Sequence, residues 1–211
     1  MPLQTLFILF DEDFISNTIH NQTIHASKLL EYPDGVGTKG IDIPSVPFLH
    51  TGKMHYLLTS IRQNLFMEDI ALQDILHEII AEFCYINKDT AKQIQKINAV
   101  KAATREELYR RLTTAKFFMH DNACNNITID DIAAAACLNP FHFLRVFKCA
   151  YQTTPHQYLM NLKLEKARDL LGQQQHQVSD VCMMVGFESM GSFSNLFKKR
   201  FGVSPSSIGK R

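Results

Sequence analysis

One internal repeat constrains this chain more than any other feature. Asn139–Pro155 and Ser189–Pro205 align at an offset of 50 residues. Phe143 matches Phe193, Phe147 matches Phe197, Lys148 matches Lys198 and Pro155 matches Pro205. Val146/Leu196, Tyr151/Phe201 and Thr154/Ser204 are conservative pairs, and Asn139 and Ser189 are both helix N-cap residues by type. The paired aromatics stand four residues apart, on one face of a helix, where they would anchor it to a core. A short segment precedes each copy, Asp131-Ile132-Ala133 and Asp180-Val181-Cys182, with a small residue where two helices must approach closely. Short helix, tight turn and second helix is the helix-turn-helix plan, in which the second helix enters the major groove of DNA. The period occurs twice, so it marks a duplicated module and not a solenoid.

The faces opposite those aromatics are then the ones that meet DNA. In the first second-helix, Phe141, Leu144, Arg145 and Lys148 recur at i, i+3, i+4 and i+7. In the other, Met190, Gly191, Ser192, Asn195 and Lys199 fill the equivalent stretch. Arg145 can pair bidentately with guanine O6 and N7, and Asn195 with adenine N6 and N7. Phe141 and Leu144 offer only apolar contact, for example to thymine methyls, while Gly191 offers no side chain at all. Lys148, Lys198, Lys199 and Arg200 supply charge for phosphates.

The charge distribution agrees. The whole chain carries a formal +1. Residues 1–100 hold seven Lys and Arg against twelve Asp and Glu, a balance of −5, and residues 101–211 hold fifteen against nine, +6. A basic half joined to an acidic half points to a polyanionic partner at one end. With 45% apolar and 20% charged residues, the composition is that of a folded globular chain.

Other chemistries find little support. The apolar run Leu6–Phe10 meets Asp11-Glu12-Asp13 at once and is too short for a membrane span or a signal sequence. The five cysteines are widely spaced with no C-x-x-C, as expected of reduced, mostly buried thiols in a cytoplasm. Gly35-Val36-Gly37-Thr38-Lys39-Gly40 matches a dinucleotide fingerprint in letters, but Pro33 and Pro44 frame it as a loop. His77-Glu78 lacks a second zinc ligand because position 81 is Ala, and the pairs His20/His25 and His50/His55 fit solvated loop histidines. No cofactor, no metal site and no enzyme activity is expected.

Three segments are expected. Residues 1–86 hold a strand at Leu6–Phe10, a loop-rich stretch, and two amphipathic helices at about 54–66 and 69–86. The stripes Leu58, Ile61, Leu65 and Leu72, Leu76, Ile79, Phe83, widened by Ile75 and Ile80, suit either an internal core or a homodimer surface through residues 54–86. Residues 87–103 form a polar linker, partly helical. Residues 104–211 are densely helical. Helix starts are signalled at Thr104, Thr128 with Asp131, Asn139-Pro140, Thr154-Pro155, near 178, at Ser189 and at Ser204-Pro205, and stops at Gly172, Gly186 and Gly202.

The stretch Gly186–Pro205 (GFESMGSFSNLFKKRFGVSP) is similar to the signature of the AraC/XylS family of bacterial transcription regulators, and Leu162–Leu171 (LKLEKARDLL) resembles that family's long connecting helix. The resemblance covers residues 104–208. It implies a mainly α fold, with a seven-helix DNA-binding domain whose two helix-turn-helix units read successive major-groove faces of one asymmetric site in double-stranded DNA. The base-reading positions it implies fall on Phe141, Leu144, Arg145, Gly191, Ser192 and Asn195. Gln152 stands where the family usually has Gly, and Gln177 where it usually has Ser or Thr. Residues 1–56 are too few for the sensor barrel of many family members, so a shortened sensor followed by dimerisation helices is expected. The expectation is a cytoplasmic, nucleoid-associated regulator, with RNA polymerase as a further partner and the effector unspecified. The alternative is a partner-recruiting module with weak DNA contact.

Overall fold

Short polar side chains ahead of Pro or apolar periodicity satisfy the exposed amides that begin a helix, and the C-terminal region is built on that device. A computed structural model of the chain describes residues 52–63 and 69–208, together with Phe14 and Thr18. Every element among them is helical: α1 (Gly52–Gln63), α2 (Asp69–Gln95), α3 (Ala102–Asp121), α4 (Ile129–Ala135), α5 (Pro140–Tyr151), α6 (Pro155–Gly172), α7 (Val178–Met184), α8 (Met190–Phe201) and α9 (Pro205–Ile208). The expected strand at Leu6–Phe10, the glycine loop, and His20, His25 and His50 lie outside the described residues. His55 is not a loop residue, since it sits within α1.

The chain divides into two compact units, Met1–Ala91 and Lys92–Arg211. In the first, Met54, Leu57 and Ile61 of α1 are buried with Ile79 and Ile86 of α2, and Leu58, Leu72, Ile75, Leu76 and Phe83 pack around them. The stripes therefore close on each other within one chain. The register of α1 differs from the expected one, because Met54 and Leu57 complete the buried face beside Ile61. Exposed Lys53 pairs with exposed Glu78 at 3.2 Å, a surface contact worth little.

The second helix does not stop near residue 86. It runs to Gln95 because nothing in Asn87–Gln95 breaks it: there is no Pro or Gly, and the buried Asn87 amide donates to the Phe83 carbonyl at 2.9 Å. Residues 96–101 alone separate it from α3. Helix α3 starts at Ala102 and not after Thr104. Its N-cap, Lys101, has no side-chain cap bond. Arg105 instead donates from Nη1 to the carbonyls of Ala99 at 2.7 Å and Val100 at 3.2 Å, which ties down the approach to the helix.

The second unit repeats a three-helix motif. Its first copy is α3, α4 and α5, and its second is α6, α7 and α8. Leu112, Ala115 and Met119 of α3 are 0% exposed, and Leu164, Ala167 and Leu171 of α6 hold the same places 52 residues on. Ile132, Ala133 and Ala136 correspond to Val181, Cys182 and Val185 at an offset of 49, and the recognition helices at 50. The changing offset absorbs loops of different length. Thr128 and Asp131 close a reciprocal capping box on α4, and Thr154 and Gln157 do the same on α6. Hydrogen bonds from the Thr128 backbone and hydroxyl hold the Asp131 carboxyl below its usual range. Gly172 is the last residue of α6 and does not take a left-handed conformation. Gln174, at φ 57°, makes that turn instead.

Candidate nucleic-acid interface

Helices α5 and α8 are each twelve residues long and are held alike. Asn139 Oδ1 accepts from the His142 amide at 2.8 Å, with Pro140 preset for the first helical position. Ser189 Oγ accepts from the Ser192 amide at 3.4 Å, a looser cap. Along the inner face of α5 the ring centroids of Phe143 and Phe147 are 5.4 Å apart, and those of Phe147 and Tyr151 are 4.7 Å apart. On α8 the matching distances are 5.6 Å for Phe193 and Phe197 and 4.7 Å for Phe197 and Phe201. Phe143, Phe147, Phe193 and Phe197 are all 0% exposed. Truncating any one to Ala removes about 3–5 kcal/mol, so these ladders fix which face each helix turns outward.

The outward faces hold the side chains singled out by spacing. Phe141 is 87% exposed, an unusual state for a phenylalanine, and Leu144, Arg145 and Lys148 are exposed beside it. Arg145 Nη2 lies 3.3 Å from His142 Nδ1. On α8, Gly191, Ser192, Asn195, Lys198, Lys199 and Arg200 are exposed, with Met190 and Leu196. A Cβ at Gly191 would meet only Ser189 Oγ, at 3.7 Å, so the fold itself does not demand glycine there. Leu196 breaks the match with its counterpart Val146, which is buried.

Arg200 differs from the neighbouring lysines. Its Nη2 donates to Glu165 Oε1 on α6 at 3.0 Å, and its guanidinium lies 5.7 Å from the Phe201 ring centroid. Lys198 and Lys199 are exposed in the same basic last turn of α8. Of the five thiols, Cys182 is buried and Cys137 exposed, with Cys84, Cys124 and Cys149 between, so the thiols are less buried than their type suggests. Among the described residues, no three His, Cys, Asp or Glu side chains cluster as metal ligands would. Among them too, no helix is long and apolar enough to cross a membrane.

A family described as a helix-turn-helix domain matches residues 132–211. A probable transcriptional regulator LumQ of Photobacterium leiognathi is 31% identical over 88 residues, which are 42% of this chain and 36% of that protein. The HTH-type transcriptional regulator ArgR of Pseudomonas aeruginosa is 33% identical over 95 residues, 45% of this chain and 29% of that protein. The C-terminal region is an AraC/XylS-type DNA-binding domain. An AraC-type DNA-binding-domain structure from Chromobacterium violaceum is 29% identical, covering 47% of this chain and 89% of that one with a TM-score of 0.46. The AraC/XylS type is one of transcription regulators and not of enzymes. This chain spans about a third of the length of the curated relatives it matches.

Proposed function

We propose that the whole chain is a sequence-specific transcription regulator that lays α5 and α8 in successive major-groove faces of one asymmetric DNA site, about one helical turn apart. The observation that carries this is the paired geometry: two equal helices, each pinned by a buried aromatic ladder, each turning exposed cations and apolar side chains outward. Arg145 reads a guanine and Asn195 an adenine, Phe141 and Leu144 pack on thymine methyls, and Gly191 and Ser192 allow close approach. Lys148, Lys198 and Lys199 contact phosphates, with Arg200 held back by Glu165. Such work belongs on the nucleoid, in the cytoplasm.

Selection of random duplexes on the purified chain should enrich one bipartite sequence. Arg145→Ala should then cost about 1–3 kcal/mol against that site and relax preference at a single base pair. An equal loss on every sequence would make Arg145 a phosphate contact, and no enrichment at all would end the reading. Self-association through residues 54–86 belongs to the same proposal, with Tyr56 and Tyr85 as the exposed aromatic side chains of α1 and α2. Sedimentation at rising concentration decides it.

A further inference from the structure

We propose that Lys163 is a positioning residue: it holds the turn of the second helix-turn-helix unit on the connecting helix α6, and so sets where α8 stands relative to α5. The inference rests on reading α5 and α8 as two recognition helices on one DNA site.

Lysine is rarely buried unless its amine is partnered. Lys163 is 7% exposed, and its Nζ donates to the Gly186 carbonyl at 3.0 Å, across 23 residues of sequence. Gly186 is the residue where α7 gives way to the approach to α8, and its φ of 76° lies in the left-handed region. The amides of that turn are already engaged: Gly186 donates to the Met183 carbonyl at 2.9 Å and Phe187 to the Cys182 carbonyl at 3.0 Å. The Gly186 carbonyl accepts from Lys163.

A third segment meets them. A Cβ added to Gly186 would stand 3.0 Å from Lys163 Nζ and 3.0 Å from the Cys124 carbonyl. Cys124 lies in the loop between α3 and α4, in the first three-helix copy, and packs on the second copy's core of Leu164, Ala167, Val181, Val185, Phe193 and Phe197. Connecting helix, second turn and the loop between α3 and α4 therefore converge at Gly186. Since α6 also packs against α3 and α5, a hold at this point fixes the second recognition helix in the frame of the first.

The first three-helix copy carries the same device in weaker form. Arg111 stands before Leu112 as Lys163 stands before Leu164, and its Nη1 donates to the carbonyl of Cys137 at 3.2 Å. Cys137 is the left-handed residue of the first turn, at φ 52°. The Arg111 side chain is 40% exposed and shared with Glu107, whereas Lys163 is enclosed near a segment of the other three-helix copy. Of these two latches, the second is the one that meets a segment of the other three-helix copy.

The test uses the full chain and its selected duplex, with the two half-sites moved apart or together by one and two base pairs. The affinity ratio between spacings is read, because that ratio cancels any change in the fraction folded. The unsubstituted chain should lose at least tenfold on a one-base-pair shift. Lys163→Met should bind the selected spacing more weakly and lose less than about threefold on the same shift. Lys163→Gln, which keeps an amide donor on a shorter stem, should fall between, and it stands in if the Met variant does not fold. A spacing preference as sharp in both variants as in the parent overturns the role of Lys163. A parent without spacing preference overturns instead the two-helix reading on which it rests.

Discussion

Gln152 and Gly202 close the two recognition helices in the same left-handed conformation, at φ 56° and 77°. For an L residue that conformation costs roughly 1–2 kcal/mol, because Cβ crowds the following carbonyl, and glycine avoids the cost. Gln152 recovers part of it by donating from Nε2 to the Cys149 carbonyl at 2.7 Å. Gln152→Gly should therefore stabilise the chain by about 0.5–1 kcal/mol, read as a rise of a few degrees in the thermal unfolding midpoint, with base preference unchanged. A neutral or negative shift would mean that the side-chain bond fully offsets the strain. The equivalent pair in the turns, Cys137 and Gly186, behaves differently. Cys137 is exposed and tolerates a side chain, while Gly186 is crowded by backbone and cannot accept one without displacement.

At the scale of elements, helix starts depend on one chemical event each. Thr128 closes a full capping box on α4, but its counterpart Gln177 opens α7 in extended conformation with no side-chain cap bond. A seven-residue helix has too few internal bonds to hold alone, so the buried Val181 and Cys182 carry α7. Gln177→Thr should add about 1 kcal/mol to the local stability of α7. Native-state hydrogen exchange of its amides should slow roughly fivefold, with little change in α4. The starts at Thr128, Asn139, Thr154 and Ser189 were legible in sequence because each places an acceptor three residues before a free amide. Ends were less so. Helix α2 runs past Phe83 through Asn87 and Thr90, which are buried despite being polar, and periodicity of apolar residues does not register them. The start of α3 depends on Arg105 reaching back to Ala99 and Val100, a tertiary arrangement with no local signature. The first helix of the repeat escaped a fixed offset of 50 because its copies are 52 residues apart. The outward faces of α5 and α8 followed directly from aromatic spacing, whereas Lys163 carried no signal, since only the folded turn brings Gly186 to it.

For the whole molecule, the split of charge into −5 over residues 1–100 and +6 over residues 101–211 gives the direction of long-range attraction but not the contacts. Those depend on which cations stand free on the outward faces. Each phosphate neutralised releases condensed counterions, so the logarithm of the binding constant falls with the logarithm of salt by about 0.9 per phosphate. Lys199 is exposed in the last turn of α8, and its removal as Lys199→Ala should flatten that slope by about 0.9. Arg200, one residue on, is committed to Glu165 at 3.0 Å and lies against Phe201, so Arg200→Ala should leave the slope nearly unchanged while losing the tie between α8 and α6. Titrations of the full chain and both variants on the selected duplex, from low to high potassium chloride, separate the two. Equal flattening by both substitutions would show that DNA draws Arg200 away from Glu165. In that case the ion pair is a gate on the phosphate face and not part of the scaffold.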